Sequence, residues 1–336
     1  VWNCGNKIRS SGITQPPILA IMLRRILDKN IIKNKDKLKI KLIIKKITKY
    51  HQWLLKYRDP KNSGLVSILH PWESGYDNSP LWDKPLNAIK IEKNLKYKRG
   101  DIKVVNPDFR PLDIDYDRYV TIKNHLRKNK YDPKKLYQNS MFNVVDVGFN
   151  SIFLKANKDL LYLLKKFNLE YKDIQNYIVK SETQIEKLYD KKKKSFVNYD
   201  IKNKKKITAP YITNYFILFA DLKNKLINKE IIKTLRKHNS KDKFFFSSIK
   251  PNNIKYEEKR YWRGPVWINC NWIIYQGLKD KDKKFANLVR RKTIDLVKKS
   301  GFYEYFDTNN GNPYGAKNFS WTASLFLDLI LEKKYN

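Results

Sequence analysis

Apolar residues recur at helical spacing along most of this 336-residue chain, and alternating strand patterns are rare. Most segments with this spacing begin or end near Asn, Asp, Pro or Gly, as helices do. We predict helices over residues 15–29, 36–57, 117–130, 141–167, 171–189, 210–222, 229–237, 266–277, 286–299 and 319–332. A hairpin or loop is expected at 89–105, and a mobile, Lys-rich loop insert at 191–206. The chain is therefore expected to form one all-α domain over residues 1–336, with its site on the face that carries the long loops.

The net charge of +38 favours polyanion binding at first sight, but the type of cation argues against a specific nucleic-acid partner. Of the 71 basic residues, 58 are Lys and 13 are Arg, whereas Arg is the residue preferred for bidentate phosphate and base contacts. No apolar run approaches the length of about 20 residues that spans a bilayer, so we expect no membrane partner. Two cysteines, Cys4 and Cys270, exclude a disulfide framework and favour a cytoplasmic protein with reduced thiols.

Lysine is nearly absent from three stretches, at residues 64–83, 261–277 and 301–328. Together they hold 65 residues but only one lysine, Lys317. They also contain six of the eight tryptophans: Trp72, Trp82, Trp262, Trp267, Trp272 and Trp321. A buried core also excludes lysine, but these stretches carry carboxylates as well. Aromatic residues mixed with carboxylates and glycines are typical of a pocket that stacks a polar ring and performs acid/base chemistry on it.

Cleavage of a glycosidic bond needs one carboxyl group to protonate the leaving oxygen and a second to activate water or attack directly. Asp77 is the better candidate for the acid, because Gly75 permits a tight turn and Trp72 and Trp82 can shield its carboxyl from water. Glu304 is the better candidate for the base and lies between two aromatic residues.

Each assignment has a structural alternative. Asp77 is also placed to cap the turn at residues 78–80, and Glu304 to form a structural ion pair. Glu73, Asp83 and Asp307 compete with them, and we expect those three to orient backbone or sugar hydroxyl groups. The four histidines lack ligand spacing, and no nucleotide-binding glycine motif occurs, so we expect no metal and no cofactor.

At these residues the chain resembles a known family. Its residues 70–83, HPWESGYDNSPLWD, resemble the signature loop of glycoside hydrolase family 63, closest to the mannosylglycerate and glucosylglycerate hydrolase branch. Four further motifs of that family occur in order: SGITQPP at 11–17, YWRGPVWIN at 261–269, GFYEYFD at 301–307 and FSWTA at 319–323.

The resemblance implies an (α/α)6 barrel of six helical hairpins and hydrolysis with inversion, with Asp77 as general acid and Glu304 as general base. It implies contacts to the sugar and its aglycone from Gln15, Trp72, Tyr261, Trp262, Gly264 and Trp267. Gly264 would let the backbone approach the ligand. We add Glu73 and Trp321 to the predicted contacts, and Arg263 or a nearby lysine as the counter-ion of an anionic aglycone. Inversion predicts that the two carboxyl groups lie about 6.5–9.5 Å apart.

The chain also departs from the family pattern. Leu81 replaces a common arginine, and a Trp-Asp-Ser segment of the sugar subsite is absent. Ten predicted helices fall short of the twelve in six hairpins, so we expect the barrel to lack its first one or two helices. The leading hypothesis is an inverting hydrolase of a small α-glucoside or α-mannoside, such as glucosylglycerate or mannosylglycerate. The alternatives are a truncated, inactive sugar-binding relative and a basic polyanion-binding protein.

Overall fold

Helices form most of the fold, and the computed structural model describes residues 2–3, 9–10, 13–29, 36–238 and 243–332. Within these ranges the α-helices are α1 (Leu19–Asp28), α2 (Lys37–Arg58), α3 (Asp83–Asn87), α4 (Asp113–Lys128), α5 (Pro133–Asn139), α6 (Val147–Lys166), α7 (Lys172–Glu186), α8 (Ile217–Ala220), α9 (Lys225–His238), α10 (Ile268–Leu278), α11 (Lys283–Ser300) and α12 (Ser320–Leu331). Short 3-10 turns occur at Pro71–Glu73, Pro80–Trp82, Asp101–Lys103, Pro107–Phe109 and Ile212–Phe216. None of the helices in these ranges has the length and apolar character needed to cross a membrane.

Strands are few and short, and all of them pair antiparallel. They are β1 (Trp2–Asn3), β2 (Arg9–Ser10), β3 (Val144–Val145), β4 (Tyr189–Asp190), β5 (Ser195–Phe196), β6 (Asn198–Asp200), β7 (Lys205–Ile207), β8 (Tyr303–Phe306) and β9 (Pro313–Lys317). The sheets are β1-β2, β3-β6-β7, β4-β5 and β8-β9. The fold is therefore mostly helical, with small hairpins between the helices.

Each of the ten segments with helical spacing contains a helix, although the observed boundaries differ from the predicted ones. The helix predicted over 141–167 starts only at Val147, because residues 144–145 pair with β6. The segment at 210–222 forms a 3-10 turn followed by the short helix α8. Helices α3 and α5 are too short to show a period and were not predicted.

The Lys-rich segment at 191–206 differs from the irregular loop that we expected. It forms strands β5, β6 and β7, and its lysines lie mostly at the exposed turns between them. Residues 89–105 form a loop with one 3-10 turn and no strand. Cys4 and the first two residues of the 11–17 motif lie outside the described residues.

Helix α6 is the centre of the core. Fourteen of its twenty residues are buried, so it is covered on nearly all sides, and it packs on α1, α2, α7 and α8. The carboxylate of Asp146 caps its first turn by accepting a hydrogen bond of 2.7 Å from the Phe149 N–H.

A buried ion pair fixes the 3-10 turn Pro71–Glu73 to the end of α2. Arg58 Nη2 lies 2.7 Å from Glu73 Oε1, which also accepts from the Thr14 N–H and hydroxyl. Glu73 Oε2 accepts from the Leu69 N–H at 2.6 Å. Neither charged side chain has appreciable exposed surface. One carboxylate therefore joins the N-terminal segment, α2 and the Trp-rich loop that follows it.

The pair predicts a large loss of stability when one charge is removed. Glu73→Gln leaves the Arg58 guanidinium buried without a counter-charge, and we expect the free energy of unfolding in urea to fall by about 3–5 kcal/mol. Glu92→Gln, at an exposed pair with Lys128, is the matched control and is expected to change little. Equal effects of the two substitutions would contradict a structural role for the buried pair.

Candidate active site

Asp77 lies in a loop whose main chain is held on both sides. The loop turns at Gly75, whose φ of +83° favours glycine. The Trp82 indole N–H donates to the Tyr76 carbonyl at 3.0 Å, and the Tyr119 hydroxyl donates to the Asp77 carbonyl at 3.0 Å. These two bonds fix the main chain, and the Asp77 side chain is only partly buried, so its carboxyl is still reachable.

Glu304 lies on β8, where a single arginine holds its carboxylate. Arg110 Nη1 donates to Oε1 at 3.0 Å and Nη2 to Oε2 at 2.7 Å, and both side chains are buried. The Ala316 N–H of β9 also donates to Oε2, at 3.0 Å. A Cβ at Gly315 would come within 2.5 Å of Oε2, so a glycine on β9 makes room for the carboxylate. The fork of Arg110 and one amide therefore hold both oxygens of the Glu304 carboxylate in place.

The two carboxyl groups act on each other, although they are far apart in sequence. Burial raises the pKa of Asp77 to about 7, the charge of Arg110 lowers it in part, and the charge of Glu304 raises it further. Burial also raises the pKa of Tyr261 well above its ordinary value, and the charges of Asp77 and Glu304 both add to that shift. Tyr261 therefore lies within electrostatic reach of both carboxyls, in one shared site.

An aromatic stack packs against Tyr261. The rings of Trp262 and Trp267 lie parallel with centroids 3.6 Å apart, and Tyr305 stacks on Trp267 at 4.8 Å. Tyr261 meets Trp267 edge-on, and the Arg110 guanidinium lies 4.9 Å from the Tyr261 ring centroid. The two tryptophans are almost fully buried, so direct contact of their rings with a ligand stays a prediction.

Arg263 and Gly264 have roles within the protein that differ from those expected. Arg263 pairs with Asp83 at 2.8 Å and with Glu257 at 2.7 Å, so its charge is already compensated. A Cβ at Gly264 would come within 2.5 Å of the Glu257 carbonyl oxygen. Glycine is thus required there by the protein's own backbone, without reference to a ligand.

The remaining predicted contacts separate into two groups. Gln15 donates to the Trp72 carbonyl at 2.6 Å, and the half-buried Trp72 packs on Tyr119, which in turn holds Asp77. The structure thus places Gln15 and Trp72 near Asp77. Glu73 is fully buried among the donors named above and orients the backbone at Thr14 and Leu69, which was one of its two expected tasks, whereas its contact with a sugar stays a prediction. Trp321, on α12, is 41% exposed, and none of its described contacts joins it to Asp77 or Glu304.

Arg110 and Tyr119 were not predicted, although both contact a candidate catalytic residue. Arg110 follows the 3-10 turn Pro107–Phe109 in a long connection that has no distinctive motif. Arginine itself is a signal that could have identified Arg110. It is scarce in this sequence, and several of the 13 arginines form buried or half-buried pairs with carboxylates. Within the described residues, no group of three or more His, Cys, Asp or Glu side chains is arranged to hold a metal ion.

Comparisons with known proteins identify the family of this chain. Residues 1–322 match the family described as the mannosylglycerate hydrolase MGH1-like glycoside hydrolase domain. A mannosylglycerate hydrolase of Thermus thermophilus is 38% identical over 321 residues, which cover 95% of this chain and 77% of that protein. The crystal structure of a GH63 mannosylglycerate hydrolase from Thermus thermophilus with Tris covers 96% of this chain and 79% of its own, with 36% identity and a TM-score of 0.92.

The chain belongs to glycoside hydrolase family 63. This family 63 member is a glycoside hydrolase, and it also matches a glucosylglycerate hydrolase of Mycolicibacterium hassiacum at 26% identity over 96% of the chain and 75% of that protein. Further crystal structures of the Thermus thermophilus enzyme, with Tris and D-glycerate and with glucose, match at TM-scores of 0.91 and 0.92.

The raised pKa of Asp77 predicts a pH-dependent cost to the stability of this family 63 domain. Unfolded, Asp77 ionises near pH 3.8, whereas the folded protein keeps the proton up to about pH 7. Between pH 3.8 and about pH 7, deprotonation of Asp77 stabilises only the unfolded chain. The free energy of unfolding therefore falls as pH rises. Asp77→Asn removes this loss and is expected to be more stable than the unmodified chain above pH 7.

Urea unfolding of both proteins below pH 3.8 and above pH 7 measures the difference. The exposed Asp295→Asn is the control and should show no such pH dependence. A difference between Asp77→Asn and the unmodified chain that stays constant across this window would contradict the raised pKa.

Proposed function

We propose that this chain hydrolyses a small α-glucoside or α-mannoside with inversion, with Asp77 as general acid and Glu304 as general base. The observation that carries the proposal is the contrast between two carboxyl environments in one site. Burial and the Glu304 charge favour the protonated form of Asp77 near neutral pH. The Glu304 carboxylate instead accepts three hydrogen bonds, two from the Arg110 guanidinium and one from the Ala316 N–H. Groups whose surroundings separate their protonation states in this way are suited to acid and base roles.

The hydrogen bonds of Glu304 also indicate which oxygen activates water. Oε2 accepts from Arg110 and from Ala316, whereas Oε1 accepts only from Arg110 among the described contacts. We therefore assign Oε1 as the atom that takes the proton from water while the water oxygen bonds to the anomeric carbon. Asp77 delivers its proton to the glycosidic oxygen as the bond from that oxygen to the anomeric carbon breaks.

The substrate class rests on the relatives. The matching enzymes are named for mannosylglycerate and glucosylglycerate, and the Thermus structures hold D-glycerate or glucose. We propose a glycerate glycoside as the substrate of this chain. Because Arg263 is paired with Asp83 and Glu257, it is a poor counter-ion for the glycerate carboxylate. Arg110 is likewise paired, with both oxygens of Glu304, so neither arginine is assigned as that counter-ion.

A cytoplasmic location is part of the proposal. Cys270 is a free, buried thiol, and burial raises its pKa, so it is an inert structural cysteine of the kind found in reducing compartments. The expected partner is a small carbohydrate. Nothing in the site geometry calls for a specific nucleic acid.

We also propose that the fold is an (α/α)6 barrel whose first helices are missing from residues 1–336. Helix α12 is mainly apolar, yet among its residues only Thr322 and Leu329 are buried. It lies beside α1, because Asp328 binds Arg25 at 2.6 Å. Six apolar side chains on the two helices or directly before α1 are at least 38% exposed: Ile18, Leu19, Ile26, Trp321, Leu327 and Leu331. The Thermus relative has additional length outside the match, enough for further helices to cover this face.

Exposure of this α1–α12 face has a measurable consequence. Residues 1–336 expressed alone are expected to bind a hydrophobic fluorescent dye and to self-associate, because a large apolar patch is exposed. Leu19→Lys with Leu327→Lys should reduce both signals, whereas Val104→Lys, at an exposed apolar side chain elsewhere, should not. A monomeric chain without dye binding would contradict the open barrel.

The catalytic roles are tested by conservative substitution. Asp77→Asn and Glu304→Gln each keep the shape of the side chain and remove its proton chemistry, so kcat should fall by about 10²–10⁴ or more. The measurement is sugar release from mannosylglycerate, glucosylglycerate and trehalose, with Asp295→Asn as the control at an exposed carboxylate. Near-normal turnover by either variant would refute its role.

The anomer released first distinguishes the mechanism. Proton NMR in the first minutes should show the β-sugar from an α-glycoside, and the α-sugar would indicate retention instead. If the unmodified chain binds the sugar but releases none from any of these substrates, it is an inactive sugar-binding relative.

A further inference from the structure

We propose that Tyr76 and Asp146 form an anchor that positions the general acid, Asp77, for proton transfer. The inference rests on the proposed function and assigns a positioning role to two buried residues that do not reach the substrate. Tyr76 immediately precedes Asp77, and its hydroxyl donates a hydrogen bond to Asp146 Oδ2. Asp146 is itself fixed at the start of α6, where it accepts from the Phe149 N–H at 2.7 Å.

The start of α6 is built to receive the Tyr76 hydroxyl. A Cβ at Gly148 would overlap that hydroxyl and would lie 2.9 Å from Thr213 Cβ, so glycine keeps the approach open. Asp146 is fully buried, and a carboxylate there is favoured by the N-terminal end of a 20-residue helix. The anchor thus ties the residue next to the acid to the central helix of the core.

The Tyr76 ring links the acid to the aromatic stack. It lies parallel to Trp82 at 5.7 Å between centroids, and it meets Trp262 edge-on at 6.1 Å. Trp82 in turn donates to the Tyr76 carbonyl, and Tyr119 donates to the Asp77 carbonyl. These contacts act on the main chain around Asp77 and leave its carboxyl free to meet the glycosidic oxygen. The hydroxyl–carboxylate bond is the part of this arrangement that a single-atom change removes.

The dependence of the rate on the leaving group separates positioning of the acid from general stability. A glycerate leaving group needs the proton from Asp77, whereas fluoride departs from an α-glycosyl fluoride as an anion without it. Hydrolysis of the fluoride still needs the folded site and Glu304. It therefore reports folding and base function in the same protein.

The experiment compares the unmodified chain with Tyr76→Phe and Asp146→Asn on the glycerate glycoside and on the α-fluoride of the same sugar. We expect kcat for the glycerate substrate to fall about 10–100-fold, as small misplacement of a catalytic group does, while kcat for the fluoride and both KM values stay within about threefold. Tyr177→Phe, at a buried tyrosine that packs on Phe153, should leave both rates unchanged.

Two results would overturn the anchor. Equal losses on both substrates in both variants, including complete loss through misfolding, would show a merely structural role. Unchanged rates on both substrates would show no role. Failure of the unmodified chain to cleave either substrate would instead refute the proposed function, and the inference with it.

Discussion

Two carboxyl groups that share a poorly solvated site cannot both be ionised without cost, and the arrangement around Asp77 and Glu304 resolves this conflict. A carboxylate in such a site needs strong donors, and Glu304 has the fork of Arg110 and the Ala316 amide. The free-energy cost of a second charge in the site then falls on the other carboxyl, that of Asp77. Asp77, poorly solvated and facing the negative charge of Glu304, holds its proton to a pKa of about 7. Arg110 and the Ala316 amide thus hold one carboxylate of the pair, whereas the other carboxyl keeps its proton to higher pH.

The rest of the structure brings these groups together from distant parts of the chain. Arg110 and Glu304 are 194 residues apart, and each is placed by a small rigid feature: a 3-10 turn for Arg110 and the β8-β9 hairpin for Glu304. The Asp77 loop is joined to α2 through Glu73 and to α6 through Tyr76. Long helices form the scaffold, and short turns and hairpins fix the positions of the site residues. This division is common in enzymes whose functional loops project from a stable scaffold.

The helices and the two catalytic candidates could be predicted because their signals are local. Helical spacing recurs within each segment, and the near-absence of lysine marks the stretches around Asp77 and Glu304. The exact task of each aromatic or charged residue could not be predicted in the same way. Trp262 and Trp267 are compatible with stacking on a sugar or on each other, and only their packing shows that they lie 3.6 Å apart. Arg263 and Glu73 have partners that no spacing identifies, and Arg110 carries no motif at all.

A general acid at Asp77 must hold its proton near neutral pH, and a carboxyl titration tests this most directly. The infrared difference spectrum between the unmodified chain and Asp77→Asn, recorded across the acid and neutral range, isolates the carboxyl band of residue 77. A protonated band that disappears near pH 7 is the expected result. A band that disappears near the ordinary value of 3.8 would show Asp77 ionised at neutral pH and would contradict its role as the acid.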